Sequence, residues 1–228
     1  MTCARRHTLW RRPSLLIAAV VVAITGLGRS LRRGRTPHRD NARRLPGDDL
    51  IPDADQVSTR STTIAARTDD VWPWIVQIGQ GRGGFYSYDF LENLAGCDIH
   101  SADQINTDWQ DLAVGDPVRL APELALTAAV VDPGSALVLR SSVPIGPGAM
   151  PFDFTWAFVL EPSMSASTRL TVRERYQYLR WWTPFVVKPT ALISSVMTRQ
   201  MLRGIKRRAE VAGWTTSAPV GCHGVMAK

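Results

Sequence analysis

The sequence predicts an α+β fold: a curved antiparallel sheet wrapped around a long C-terminal helix, with two short helices after the first strand. Three observations predict it. Between about 111 and 179, alternating apolar and polar residues recur in short runs separated by turn residues, which favours antiparallel neighbours over crossover connections. From about Pro189 to Ala212 the apolar positions fall at helical spacing instead, with cations on the other side. Ahead of both, one strand-like run is followed by two short helical patterns.

VSTRSTTIAA, from Val57, reads as the first strand, its small hydroxyl residues alternating around Val57 and Ile64. Thr68 is expected to cap a helix through VWPWIVQI, with Asp69 and Asp70 in the first turn opposing the helix dipole. Pro73 fits such a helix only in its first turn, where its missing N–H would go unused anyway. SYDFLENLAG reads as the second short helix, stopped by Gly96. DLAVGDPVRL, LALTAAVV and SALVLRSS come next as strands, with a turn at Asp132-Pro133-Gly134. In FDFTWAFVLEP, Phe152, Phe154, Trp156 and Phe158 share one face. In TRLTVRERYQYL, Leu170, Val172, Glu174, Tyr176 and Tyr178 share one face and Thr171, Arg173, Arg175 and Gln177 the other. In the last element Ile193, Met197, Met201 and Ile205 recur at i+4, flanked by Leu192, Val196 and Ala209, with Arg199, Arg203, Lys206 and Arg207 opposite. A twisted sheet curls around such a helix, and the space between them is a natural apolar pocket.

The chain has 228 residues, 45% hydrophobic and 21% charged, which suits one sizeable domain plus an appendage. Its net charge of +7 is unevenly placed: up to Arg44 there are eleven arginines and one acid, Asp40, a formal +10, leaving −3 for the rest. The basicity therefore belongs to the N-terminal arm, and the body carries no signal for nucleic acid. Within that arm, LLIAAVVVAITGL from Leu15 to Leu27 is uncharged. About thirteen residues at 1.5 Å rise reach about 20 Å, short of the roughly 30 Å hydrocarbon core. A short apolar anchor helix with snorkelling arginines and a secretory signal both fit. With four arginines before the run and seven after it by Arg44, the charge rule puts the body on the cytoplasmic side of a membrane. Cys3, Cys97 and Cys222 are too few and too far apart for a disulfide framework. The expected organisation is 1–28 basic N-terminus and anchor or signal, 29–56 linker, 57–213 domain and 214–228 tail.

From Val57 to Gly213 the order of elements resembles the helix-grip fold of START-like, or SRPBCC, proteins, which include polyketide cyclase-like members. Four stretches, LPGDDLIP, WPWIVQIGQGRGGFYSYDFLENLAGCDIHSAD, FDFTWAFVL and TRLTVRERY, are more narrowly similar to an actinobacterial subgroup of these proteins. That subgroup brings no activity with it. The superfamily resemblance implies a hydrophobic cavity and lipid, sterol or polyketide ligands, but fixes no reaction, since this fold hosts binders and enzymes alike.

The stretch from Trp72 to Asp103 is the most informative, with five glycines, four acids and the only mid-chain histidine, a composition that suits the edge of a cleft. Gly79-x-Gly81-x-x-Gly84 spells a dinucleotide fingerprint, but it comes after a helix-like segment and precedes antiparallel strands, so a tight loop is the better reading. Arg82 could meet an anionic headgroup or simply be solvated. Cys97, Asp98, His100 and Asp103 match no standard metal spacing, so no metal or cofactor is expected. His100 is expected to anchor the loop through a carboxylate or carbonyl, with proton transfer as the alternative. Tyr86, Tyr88, Asp89, Glu92 and Asn93 form a polar-aromatic cluster, either pinning the helix or rimming a pocket. Glu174 is the oddity: its strand parity puts a carboxylate on the apolar face, which requires a partner or a wet cavity. Arg140 or Arg119 on neighbouring strands is the expected partner. Trp181-Trp182 suits either packing or a membrane surface.

Together these predict a membrane-tethered binder of a hydrophobic small molecule, lipid or polyketide-like, in a sheet/helix cavity. Its expected ligand-binding residues are Arg82, Phe85, Tyr86, Tyr88, Asp89, His100, Trp156, Glu174, Tyr176 and Met197. No catalytic residue is assigned. A cyclase- or dehydratase-like enzyme using His100 or Glu174 for proton transfer is one alternative; a structural or accessory membrane protein with a filled cavity is another.

Overall fold

The computed structural model describes residues 43–94, 98–122, 124–141, 151–164 and 166–217. The apolar run Leu15–Leu27, Cys97 and the tail beyond Ser217 lie outside them. The chain runs β1 (Gln56–Ile64), α1 (Thr68–Val76), α2 (Asp89–Leu94), β2 (Pro117–Ala121), β3 (Leu124–Asp132), β4 (Ala136–Ser141), β5 (Phe152–Ser163), β6 (Ser167–Tyr178) and α3 (Thr183–Ser217). The six strands form one sheet in the order β1-β6-β5-β4-β3-β2, with every neighbouring pair antiparallel. β1 and β2 are its two edges, so the helices between them carry the chain from one edge to the other, and β2 to β6 then meander back. Register shifts in β2 and β3 add local twist at the β2 edge. The helix-grip α+β architecture expected from the sequence is the one observed.

The period-2 pattern sets the two faces. Phe154 pairs with Tyr176, Trp156 with Glu174 and Phe158 with Val172, so one face of the central strands is a broad apolar surface. It packs on α1 and α3 through a single core that includes Ile64, Trp74, Ile75, Leu126, Leu139, Phe158, Leu170, Val172, Met201 and Ile205.

Two helix expectations need correction. Pro73 lies in the second turn of α1, and the N-cap is Arg67 with no side-chain cap bond, not Thr68. Burial of Val71, Trp74, Ile75 and Val76 stabilises this short helix enough to outweigh the lost backbone bond. α3 begins at Thr183, not Pro189, which sits inside it. Its start is pinned by Thr183, whose hydroxyl donates to Pro151 O at 2.7 Å and accepts from Arg180 N–H at 3.2 Å.

The larger difference is on the outer face of the sheet. Residues 43–55, expected as linker, form a strap across it, with Leu45 and Ile51 buried. Asp48 caps its own turn by accepting from Leu45 N–H at 2.9 Å, and its carboxylate also pairs with Arg173 and Arg175 of β6. Arg173 is only 1% exposed; its Nε donates to Thr59 Oγ1 at 2.9 Å and its Nη1 to Arg43 O at 2.8 Å. Arg175 grips Ile51 O through Nε at 3.0 Å and Nη2 at 2.9 Å. Gly47 has φ 84°, and a Cβ there would lie 2.6 Å from Val138 Cγ1, so LPGDDLIP can press on the sheet only with glycine at this point. Asp48→Ala takes the carboxylate from two buried arginines and is expected to lower stability by about 3 kcal/mol, whereas exposed Asp49→Ala should change it by under about 0.5 kcal/mol. Urea denaturation of the two variants tests this; equal midpoints would reduce the strap to a surface decoration.

Candidate functional site

The inner faces of β5 and β6 build an aromatic wall. Ring centroids lie 4.7 Å apart for Phe154 and Tyr176, 4.8 Å for Trp156 and Phe158, and 5.6 Å for Phe152 and Tyr176. Phe85 reaches the wall from the loop after α1, 6.1 Å from Trp156. Trp156 and Phe152 pack against the core and are partly buried, as are Ile193, Ser194 and Met197 of α3. The Trp156 indole N–H is buried and has no hydrogen-bond partner.

Glu174 lies in this wall, 1% exposed. Its Oε1 accepts from Ser194 Oγ at 2.7 Å and Thr198 Oγ1 at 2.9 Å, and its Oε2 from Tyr176 Oη at 3.2 Å. The expected arginine partners are not there: Arg140 pairs with Asp153 at 2.6 Å, and Arg119 donates to Pro122 O at 3.1 Å. They lie toward the β2 edge, while Arg60 interacts with the Glu174 charge from the β1 edge, where Ser58 opposes Glu174 and Arg60 opposes Val172. Burial lowers the Arg60 guanidinium below its ordinary value, and the Glu174 charge counters that shift. The Arg60 side chain donates to Ser195 Oγ at 2.7 Å, adding a second tie between β1 and α3. The helix face that meets the sheet is therefore Val187, Ala191, Ser194, Thr198, Met201, Leu202, Ile205 and Ala209, with two hydroxyls in mid-stripe. Met197 is half-buried beside that face, and Leu192 is exposed. Ser194 and Thr198 at i, i+4 within an apolar stripe were the signal for this, outweighed in the sequence by the bulkier residues around them.

The second group of expected residues sits in the loop after α1. Gly79 and Gly84 exchange both backbone hydrogen bonds at 3.0 Å, closing a tight turn that comes after a helix, unlike the strand-turn-helix of a dinucleotide site. Arg82 is a strut, donating to Val76 O at 3.2 Å and Trp109 O at 2.6 Å. Buried Gln77 ties the loop to the segment beyond α2: its Nε2 donates to Tyr86 Oη at 2.8 Å and its Oε1 accepts from Asn106 N–H at 3.1 Å. Tyr86 is buried with φ 56°; its N–H donates to Ser101 Oγ at 2.9 Å. Asp89 takes both Ser101 donors, the N–H at 2.7 Å and the hydroxyl at 2.6 Å. One turn on, the Asn93 side chain clasps the Ile99 backbone at both its amide N–H and its carbonyl. Asp89 and Asn93 thus fold residues 98–103 back onto α2, the pinning role the cluster allowed. Tyr88 is partly exposed, and its carbonyl accepts from Glu92 N–H.

His100 is a correction. Its side chain is 82% exposed, and its Nε2 lies 3.3 Å from an equally exposed Asp98 carboxylate, so it neither anchors the loop nor faces the aromatic wall. Backbone contacts hold the loop there instead, where a Cβ on Gly84 would meet His100 O and Ser101 Cα at 2.9 Å. Among the described residues, no three His, Cys, Asp or Glu are grouped to hold a metal. The expected residues therefore separate: Phe85, Trp156, Glu174 and Tyr176 share the interior with Met197 at its margin, while Tyr86 and Asp89 build the loop and Arg82, Tyr88 and His100 lie apart.

The strand order, the two short helices after β1 and the long helix across the inner face make this a helix-grip α+β domain. No family model and no curated protein matches the chain. Among solved structures, it is similar to a truncated norcoclaurine synthase from Thalictrum flavum, at 16% identity and a TM-score of 0.43 over 67% of this chain and 91% of that one. It is also similar to protein MLL2253 from Mesorhizobium loti, at 12% identity and a TM-score of 0.41 over 67% of this chain and 98% of that one. CalU16 from Micromonospora echinospora matches at 12% identity and a TM-score of 0.34 over 71% and 88%. None of these likenesses, each below a TM-score of 0.5, bears on what the chain binds.

The interior yields two expected outcomes. Replacing Ser194 with Ala and Thr198 with Val together removes two donors from a buried carboxylate and is expected to cost about 3 kcal/mol in a denaturant melt. Burial holds the Tyr86 and Tyr176 phenols well above their ordinary range, and the Glu174 charge raises Tyr176 further. Unfolded phenols ionise near pH 10, so the stability these residues contribute is complete below about pH 10 and lost as pH rises past it. In an alkaline titration their tyrosinate absorbance should appear together with loss of the far-ultraviolet dichroism; gradual ionisation in a folded chain would contradict this.

Proposed function

We propose that the chain binds a hydrophobic small molecule, lipid or polyketide-like, between the sheet and α3, at a membrane to which the Leu15–Leu27 run tethers it. One observation carries the reading: Trp156 and Phe152 of the aromatic wall pack against the core without being fully buried, and Met197, beside the helix face that meets the sheet, is also only partly buried. Incompletely buried aromatic surface beside a helix suits an apolar guest admitted by a small separation of the two, and the same movement would uncover the Trp156 N–H, which has no acceptor among the described residues. Glu174 has both oxygens occupied by neighbouring hydroxyls and serves mainly to fasten the wall to α3.

The membrane part draws support from the same end of the domain. Where β6 leaves the sheet, Leu179, Trp181, Trp182, Phe185 and Val186 are exposed, Trp181 at 85% and Phe185 at 76%. From Arg175 to Ala209 the sequence has no acidic residue, while Arg180 and Lys188 flank the aromatic group. Exposed indoles beside cations suit an anionic membrane surface. Among the described residues no helix is long and apolar enough to cross a membrane. The proton-transfer alternative is weaker, because His100 faces solvent.

Native mass spectrometry of the full chain, purified from cells without delipidation, is expected to retain an apolar ligand. Met197→Trp, which places an indole at the edge of the wall, should lose it while melting at an unchanged temperature. An empty wild-type chain, or identical ligand retention by the variant, would overturn the cavity. The tether is tested separately by fractionation: the chain should sediment with membranes, and removal of residues 1–28 should release most of it.

A further inference from the structure

The loop from Gly79 to Asp103, the most distinctive text in the sequence, lies largely outside the interior reading. Part of it forms one wall of a groove of about 600 Å³ whose other wall is α3. We propose that this groove binds a phosphate ester, held by Arg203 and Arg207.

Charge is the first argument. α3 presents Gln200, Arg203 and Arg207 to the groove, spaced three and four residues apart and so on one helix face. The other charged groups that line it are engaged. Arg208 donates to Asp103 Oδ1 at 2.7 Å and Ala102 O at 2.8 Å, and lies 5.0 Å from the Tyr86 ring centroid. Asp89 is occupied by both Ser101 donors. Arg203 and Arg207 are exposed and make no hydrogen bond or ion pair among the described residues. Asp103 is paired with Arg208, and two guanidinium forks one turn apart outweigh the remaining charge of Asp89 and match a dianionic tetrahedral oxyanion better than a carboxylate, which one fork would satisfy.

The way the groove is built is the second argument. Tyr86 holds φ 56°, a region that bulky residues rarely enter. Directly against it, a Cβ on Gly204 would lie 2.2 Å from Tyr86 O, so the helix approaches the loop backbone at the one residue that permits it. A strained residue and a close approach that only glycine permits therefore meet where loop and helix join, and backbone strain of this kind clusters at binding sites. The volume exceeds what a lone phosphate fills, so the organic part of an ester also has room. The groove shares no lining residue with the Phe85, Trp156 and Tyr176 wall, and its occupancy is independent of the interior ligand.

The ester could be a soluble phosphomonoester or a lipid headgroup. Calorimetry on the full chain in detergent would use inorganic phosphate and phenyl phosphate, and sedimentation would compare phosphatidic acid vesicles with phosphatidylcholine vesicles. The wild type should bind phenyl phosphate more tightly than inorganic phosphate, and R203Q/R207Q should weaken it about tenfold or more, with R203K/R207K intermediate. A variant-sensitive preference for phosphatidic acid that exceeds the phenyl phosphate effect assigns the site to a lipid headgroup; the reverse assigns it to a soluble ester. Without any variant, phenyl phosphate should slow phenylglyoxal modification of Arg203 and Arg207, read by peptide mass spectrometry, but not that of exposed Arg67. No binding of any probe at millimolar concentration, equal binding by the double glutamine variant, or unprotected arginines would each overturn the proposal.

Discussion

Three consecutive residues of one strand put three charges out of water. β6 carries Arg173, Glu174 and Arg175, and strand alternation sends the carboxylate to one face and both guanidiniums to the other. Arg173 and Glu174 are essentially buried and Arg175 nearly so. A buried charge without partners would cost several kcal/mol, so each face must supply them. On the inner face α3 brings Ser194 and Thr198 to Glu174. On the outer face the strap brings Asp48 and the carbonyls of Arg43 and Ile51. The layering of the domain, strap on sheet on helix, results from satisfying that one strand.

This arrangement also ties the aromatic wall to α3. A sheet held to a helix only by apolar contact tends to close until its voids are filled, because packing rewards density. Here the spacing between β6 and α3 is set by hydroxyl-carboxylate bonds at Glu174 and by Arg60 reaching Ser195 from the β1 edge. Polar contacts of fixed length act as spacers there, and Trp156, Phe152 and Met197 are only partly buried.

The loop after α1 shows a related economy. Asp89, Ser101, Asn93 and Gln77 are all committed to holding backbone, and Arg208 to Asp103 and the Tyr86 ring. Residues that look chemically active in a string of letters become structural once their partners are seen. The same loop strands His100 in solvent, because its direction there is set by the close approach of Gly84 to the His100 backbone and not by the imidazole.

Much of the fold was legible in the residues themselves. Alternation in FDFTWAFVLEP and TRLTVRERYQYL assigned the inner and outer faces of β5 and β6 correctly, Glu174 included, because a strand's period is a local property. The long amphipathic helix was legible for the same reason. What was not legible was everything set by partners distant in sequence. LPGDDLIP reads as a linker because prolines and acids resemble one; it becomes a strap only when Arg173 and Arg175, more than a hundred residues away, offer their charges. Glu174 announced that it needed a partner, but the donors that answer from outside its strand, Ser194 and Thr198, come from α3 and not from a neighbouring strand. Local periodicity determined which way each side chain faces; only the tertiary structure decided what it meets, because a buried charge is satisfied by whichever donors the topology brings within three ångströms or so.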